Sequence, residues 1–253
     1  MWFRKWRRDR LRRRPFPEGW GDLLFKRVLL YRHLPPQERE RLHGHIHVFL
    51  NEKGFEGAGG FKVTEETKLV IAAQACLLVL NHTDSYFPGL YSIIIYPTTY
   101  LAPRREWEAG VVVEGVEARV GETWPRGTLV LAWDAVLKGA KGLEGCRNVV
   151  LHEFAHQLDY LDGKVDGAPP LPGELRSSWP EAFGQAFRRH EKQVALGLPT
   201  FLDPYGAKSP AEFFATAVEA FFMCPRAFKA RHPVLYRQLS RYFLEDPARW
   251  MPR

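Results

Sequence analysis

The chain has 253 residues, 45% of them hydrophobic and 13% aromatic, which supports a buried core and excludes a disordered or fibrous protein. Its longest apolar run, Leu69 to Leu80, is interrupted by Gln74 and falls short of the roughly 20 residues that a membrane span needs. The net charge of +7 lies wholly within Met1 to Arg14, and the remaining 28 basic and 28 acidic residues balance, which argues against a body built to bind nucleic acid.

Residues 1–14 predict a basic arm, solvated and mobile, that meets nucleic acid or anionic lipid only non-specifically. No apolar segment follows it, so it does not read as an export signal. Cys76, Cys146 and Cys224 have no metal-ligand spacing and read as free thiols of a cytoplasmic protein.

Residues 15–60 predict an N-terminal helical annex. Leu23, Leu24, Arg27, Val28 and Tyr31 space one helical face, Pro35-Pro36 break it, and Gln37 to Lys53 resumes it with Leu42, Ile46, Phe49 and Leu50. Within that helix His43 and His47 flank an apolar ridge, no carboxylate or cysteine nearby completes a ligand set with His43, His45 and His47, and the three read as structural. A turn at Gly57, Gly59 and Gly60 closes the annex.

Residues 61–253 predict the main domain. Thr64 caps a helix over Glu65 to Asn81 that is apolar nearly all round and therefore central. Short β-branched runs follow at Tyr91–Tyr96, Gly110–Glu114, Val116–Val120 and Thr128–Trp133. Helical periodicity returns from Cys146 onward. Helices, strands and helices in that order predict an α+β fold.

The chemistry concentrates in NVVLHEFAHQLDYLDG. Val150, Phe154 and Leu158 form one ridge of a helix, while His152, His156 and Asp159 share a neighbouring stripe. Two imidazoles one turn apart suit a tetrahedral Zn²⁺. Glu153 is rotated by about 100° from His152, which turns it toward a water beside the metal and suits a general base. Asp159 reads in two ways, as the partner of a ligand histidine's other N–H or as an exposed ion pair with Lys164.

A third ligand has to come from farther along the chain. His190 sits in a charged run. Glu212 is the preferred candidate, although Ser209-Pro210-Ala211-Glu212 also reads as a capping box. Glu219, seven residues on and on the same face, is the alternative.

HEFAHQLD, followed much later by Tyr205 and AEFFA with seven residues from Tyr205 to Glu212, resembles the Mlc titration factor A family of bacterial zinc peptidases. It is similar, more distantly, to the catalytic domain of anthrax lethal factor. SIIIYPTTY, REWEAG, LVLAW and PRAFKARHPVLYRQLSRYFLEDP look like further landmarks of that family, whereas the arginine-rich arm does not. The resemblance implies a zincin-like core, with a small mixed sheet, an active-site helix and C-terminal helices. It also implies one zinc per chain held by His152, His156 and Glu212, with Glu153 as the base and Tyr205 as a hydrogen-bond donor at the transition state. A peptide substrate, an aminopeptidase-like preference and a second role in capturing a transcriptional repressor follow from the same resemblance. Tyr91–Tyr96 or Thr128–Trp133 is expected to offer the strand edge on which an extended substrate pairs.

Overall fold

The computed structural model describes residues 2–82, 86–108, 111–119, 121–124 and 127–252. It begins with helix where an arm is expected: α1 (Trp2–Arg12) packs on α4 (Pro36–Glu52), with α2 (Trp20–Arg27) and α3 (Leu29–His33) between them in sequence. The physical reason is pairing at long range. Arg8 is only 7% exposed and clasps Glu52 through two nitrogens, each at 2.8 Å, while Leu11 buries beside Val48 and Tyr86. Gly44 allows the close approach, because a Cβ there would lie 2.9 Å from the Arg12 carbonyl oxygen. The expectation of a mobile arm is therefore corrected for Trp2–Arg12.

The annex does not stand apart from the rest. After α4 the chain forms a short strand that the sequence did not declare, β1 (Gly54–Gly57), and the expected glycine turn follows at Gly59 and Gly60. The next helix is α5 (Glu65–Leu77), capped by Thr64 through the Thr67 N–H. It ends four residues before the expected Asn81, because residues 78 to 80 close tighter i to i+3 turns. Then come β2 (Ser92–Tyr96), β3 (Tyr100–Glu108), β4 (Val111–Arg119), β5 (Gly121–Trp124) and β6 (Thr128–Ala132). The strands expected at Gly110–Glu114 and Val116–Val120 are one strand, β4, with Gly110 and Val120 outside the described residues.

The sheet order is β1-β2-β6-β5, parallel except for the last pair, and β3 and β4 form a separate antiparallel hairpin. In β2 only Ile93 and Ile95 are fully buried, whereas β6 is buried along Leu129–Ala132. Such a continuous apolar run marks a strand covered on both faces. Because β2 and β6 are interior, neither has a free edge for a substrate, contrary to expectation. The terminal strand on the side of the helix that carries His152 and His156 is β5.

The helices α6 (Trp133–Ala140), α7 (Val149–Asp159), α8 (Ser178–Ala195), α9 (Pro210–Met223), α10 (Pro225–Arg231) and α11 (Pro233–Phe243) complete the chain. The result is a mixed, mostly helical α+β fold with a small mixed sheet. One hydrophobic core joins Leu42, Ile46 and Phe49 of α4 to Ile93, Leu131, Phe154 and Phe214, so residues 15–60 and 61–253 share their interior. No helix among the described residues is long and apolar enough to cross a membrane.

Two of the three cysteines are not free. Cys146, just before α7, is bonded to Cys224, just after α9, and Cys76 remains as a buried thiol. The two helices run antiparallel, so the start of one meets the end of the other. A separation of 78 residues hides that meeting from any spacing rule, and the compartment argument built on free thiols lapses with it. Replacing both cysteines by Ala is expected to lower stability by about 2–4 kcal/mol, since the crosslink closes a long loop. Melting temperatures of the oxidised, reduced and doubly substituted proteins check this, and identical values would refute it.

Candidate metal centre

Helix α7 supplies the first two groups. Asn148 caps it, accepting from the N–H groups of Val150 and Leu151, and Val150, Phe154 and Leu158 face the core as the ridge predicts. Phe154 locks the helix by packing edge-on against Phe87, with ring centroids 4.7 Å apart. The opposite stripe then presents His152 and His156.

Glu212 arrives from the first turn of α9. Ser209 caps that helix by accepting from the Glu212 N–H, but the Glu212 carboxylate does not return the bond. It turns to the histidines instead, with Oε2 lying 3.0 Å from His152 Nε2 and 3.3 Å from His156 Nε2. The two Nε2 atoms are 3.2 Å apart. A tetrahedral ion about 2.0–2.1 Å from each donor sets the donors about 3.3 Å apart, so the spacing fits. Among the described residues this is the one group of three or more His, Cys, Asp or Glu side chains that can hold a metal ion. Two imidazole nitrogens and a carboxylate are a donor set suited to zinc.

Glu219 is part of the same cluster in another capacity. One carboxylate oxygen lies 3.1 Å from His152 Nδ1, and the other accepts from the Asn148 backbone N–H at 2.6 Å. Accepting from Nδ1–H leaves the Nε2 lone pair of a neutral His152 aimed at the metal position. Glu219 therefore orients the ring and does not face the metal, and its place seven residues beyond Glu212 was the available sequence signal.

Asp159 fulfils neither expectation. It is fully buried and accepts from the N–H groups of Gly167 and Ala168. Gly167 adopts a φ of +78°, and a Cβ there would strike the Pro210 carbonyl. Asp159 thus pins the loop that leaves α7 against the start of α9, the turn that carries Glu212. Burial pushes the Asp159 carboxyl up, only partly offset by the two N–H donors. Its face is shared with His152 and His156 in sequence, but tertiary contact takes its oxygens elsewhere.

Glu153 is 7% exposed, and burial raises its carboxyl above the ordinary range despite the pull of His152 and His156. Its side chain lies against Gly121 at the start of β5, where an added Cβ would be 2.6 Å from Oε1. No sequence pattern points to Gly121. The Tyr205 ring stands 6.3 Å from that of His152 and carries the Lys208 ammonium 4.2 Å from its centre. Asp203 places Tyr205 by accepting from its N–H.

The other histidines lie apart from this cluster. His43 stacks on Phe16 and meets the Tyr31 hydroxyl, His45 pairs with Tyr86, and His47 with the Pro15 carbonyl. His190 is buried against the Asp203 carbonyl.

Charge within the cluster is coupled. Burial alone would push the Glu212 carboxyl up, but hydrogen bonds from His152 and His156 reverse this and hold it at about 2. Burial alone would push His152 down, yet Glu219 and Glu212 raise it well above the usual imidazole value. A metal ion binds neutral imidazole, so below that raised value a proton competes with it. Metal uptake by the metal-free protein is therefore expected to release protons and to tighten as pH rises toward the His152 titration. Titration calorimetry in buffers of different ionisation enthalpy measures this, and pH-independent affinity would contradict it.

The sequence profile of the glucose-regulated metallo-peptidase M90 family matches residues 3–244. An uncharacterized protein of Synechocystis is 38% identical over 246 residues, which cover 96% of this chain and 89% of the relative. Mlc titration factor A of Salmonella agona is 29% identical over 236 residues, covering 90% and 86%. The protein of the same name in Salmonella typhimurium is 28% identical over the same lengths. The chain belongs to the M90 metallo-peptidase family, and the matched region takes in α1 from Phe3 onward.

Proposed function

Taking membership of the M90 family as the premise, we propose that this chain is a zinc-dependent peptidase on a zincin-like core, with an aminopeptidase-like preference for short peptides. The observation that carries the reading is the convergence of His152 Nε2, His156 Nε2 and Glu212 Oε2 within 3.0–3.3 Å of one another. Zinc supplies a Lewis acid that polarises a peptide carbonyl and lowers the pKa of water to about 7.

The protein's own groups do the rest. Glu153, raised in pKa by burial, accepts the proton of the attacking water and delivers it to the departing amine. Tyr205 donates a hydrogen bond to the oxygen on which charge grows. The β5 strand pairs with an extended substrate backbone beside α7 and so aligns the scissile bond with Glu153.

Metal analysis of protein purified without a histidine tag tests the reading. About one Zn²⁺ per chain is expected, with peptide hydrolysis lost on chelation and restored by one equivalent of zinc. Full hydrolysis by metal-free protein would overturn it.

A second reading has its own support in the name Mlc titration factor A carried by relatives. Under it the chain also binds a transcriptional repressor. A Glu153→Ala protein separates the two activities, because hydrolysis falls while partner capture persists.

A further inference from the structure

Helix α1 has two faces of different character. Its inner face is fixed to α4. Arg8 and Arg4 share Glu52, the Arg8 guanidinium lies 4.7 Å over the Tyr86 ring, and Leu11 is buried. Its outer face carries Phe3 and Trp6, one turn apart, with ring centroids separated by 6.0 Å. They are 74% and 51% exposed, which is unusual for rings of this size on a helix that buries its other side. Arg10 reaches over Trp6 at 5.8 Å, and Lys5 on the same helix and Arg13 just past its end are exposed.

We propose that this outer face is a docking surface for an anionic lipid bilayer, holding the protein peripherally at a membrane. Charge complementarity is the first argument. The whole net charge of +7 falls within residues 1–14 and the rest of the chain is neutral, so the protein meets a negative surface with this helix foremost. The second argument is the pairing of cations with exposed rings. Aromatic side chains rest at the headgroup level of a bilayer, and Lys and Arg beside them meet anionic headgroups. Duplex nucleic acid would engage the cations but gains little from the rings. Single-stranded nucleic acid stacks on aromatic platforms set along a groove, whereas Phe3 and Trp6 crowd one turn of a convex helix. Since α1 is already folded onto α4, docking carries no cost of ordering it.

Vesicle co-sedimentation of the full chain tests the proposal, with phosphatidylcholine vesicles made with and without phosphatidylglycerol. Binding is expected on the anionic vesicles and at least about tenfold weaker on the neutral ones. Phe3→Ser with Trp6→Ser should weaken binding by about tenfold, and Lys5→Glu with Arg10→Glu and Arg13→Glu by about a hundredfold. None of these five side chains bonds to Glu52, so unchanged melting temperature and metal content show that the variants are folded. Absence of wild-type binding to anionic vesicles overturns the proposal, as does equal binding to neutral ones or full binding by the charge-reversed variant. Displacement of the protein from vesicles by an equimolar single-stranded oligonucleotide, with the same dependence on Phe3 and Trp6, would reassign the face to nucleic acid.

Discussion

Glu212→Gln is expected to weaken zinc binding by about two to three orders of magnitude while leaving the helix start intact. An even share among four ligand positions of the roughly 10–16 kcal/mol of structural zinc binding is about 2.5–4 kcal/mol, which sets that scale. The cap survives because Ser209 accepts from the backbone N–H of residue 212 and not from its side chain. A mere capping residue would tolerate Gln almost silently, so the two roles give opposite results. Glu219→Gln is the informative companion. Its carboxylate accepts from Asn148 N–H with one oxygen and faces His152 Nδ1 with the other, whereas an amide has a single oxygen to offer. One buried donor then loses its partner, at about 1–3 kcal/mol of stability, and zinc affinity falls by about 10- to 100-fold through the loosened His152 ring. Zinc binding undisturbed in Glu212→Gln but lost in Glu219→Gln would interchange the two assignments.

The parts of this site that could be read from the chain are those written at helical spacing. His152 and His156 face one way because they are four apart, and Val150, Phe154 and Leu158 bury the other face. The strands β2 and β6 declare themselves by β-branched and aliphatic runs. What could not be read depends on contacts between distant segments. Ser209-Pro210-Ala211-Glu212 suits a capping box and a metal ligand equally, and only the arrival of α7 draws the carboxylate away. Asp159 shares a stripe with the histidines, yet the loop at Gly167 and Ala168 satisfies it first. The arginines of residues 1–14 read as a solvated arm because Glu52, which orders Arg8 and Arg4, lies more than forty residues away. Gly44 looks like a weak point in a histidine-bearing helix until Arg12 is seen against it. The Cys146–Cys224 bond belongs to the same class, since it follows from the antiparallel packing of α7 on α9.

Gly121 gives the second large expected effect, and it acts on the base without touching the metal. Glu153→Gln should reduce turnover by about 10²–10⁴-fold, the usual contribution of a positioned general base, with zinc content unchanged because Glu153 is not a donor. Gly121→Ala should imitate this in part. The new Cβ would fall 2.6 Å from Glu153 Oε1, 2.7 Å from Cγ and 2.9 Å from Cδ, so the whole end of that side chain has to move. The movement costs the fold little, because a flexible side chain gives way and the β5–β6 pairing of Gly121 with Leu131 involves backbone atoms alone. It costs the reaction more, since a displacement of about 1 Å at a reacting group lowers rate by about 10²-fold. Peptide hydrolysis, zinc content and melting temperature measured on the same preparations separate the cases. The expected pattern is a fall in kcat of about 10- to 100-fold with full zinc and nearly unchanged melting. Normal turnover in Gly121→Ala beside an inactive Glu153→Gln would show that the carboxylate works from another position than the one against β5. Loss of zinc in Gly121→Ala would mean instead that the strand supports the histidines, and the assignment of Gly121 to the base alone would fall.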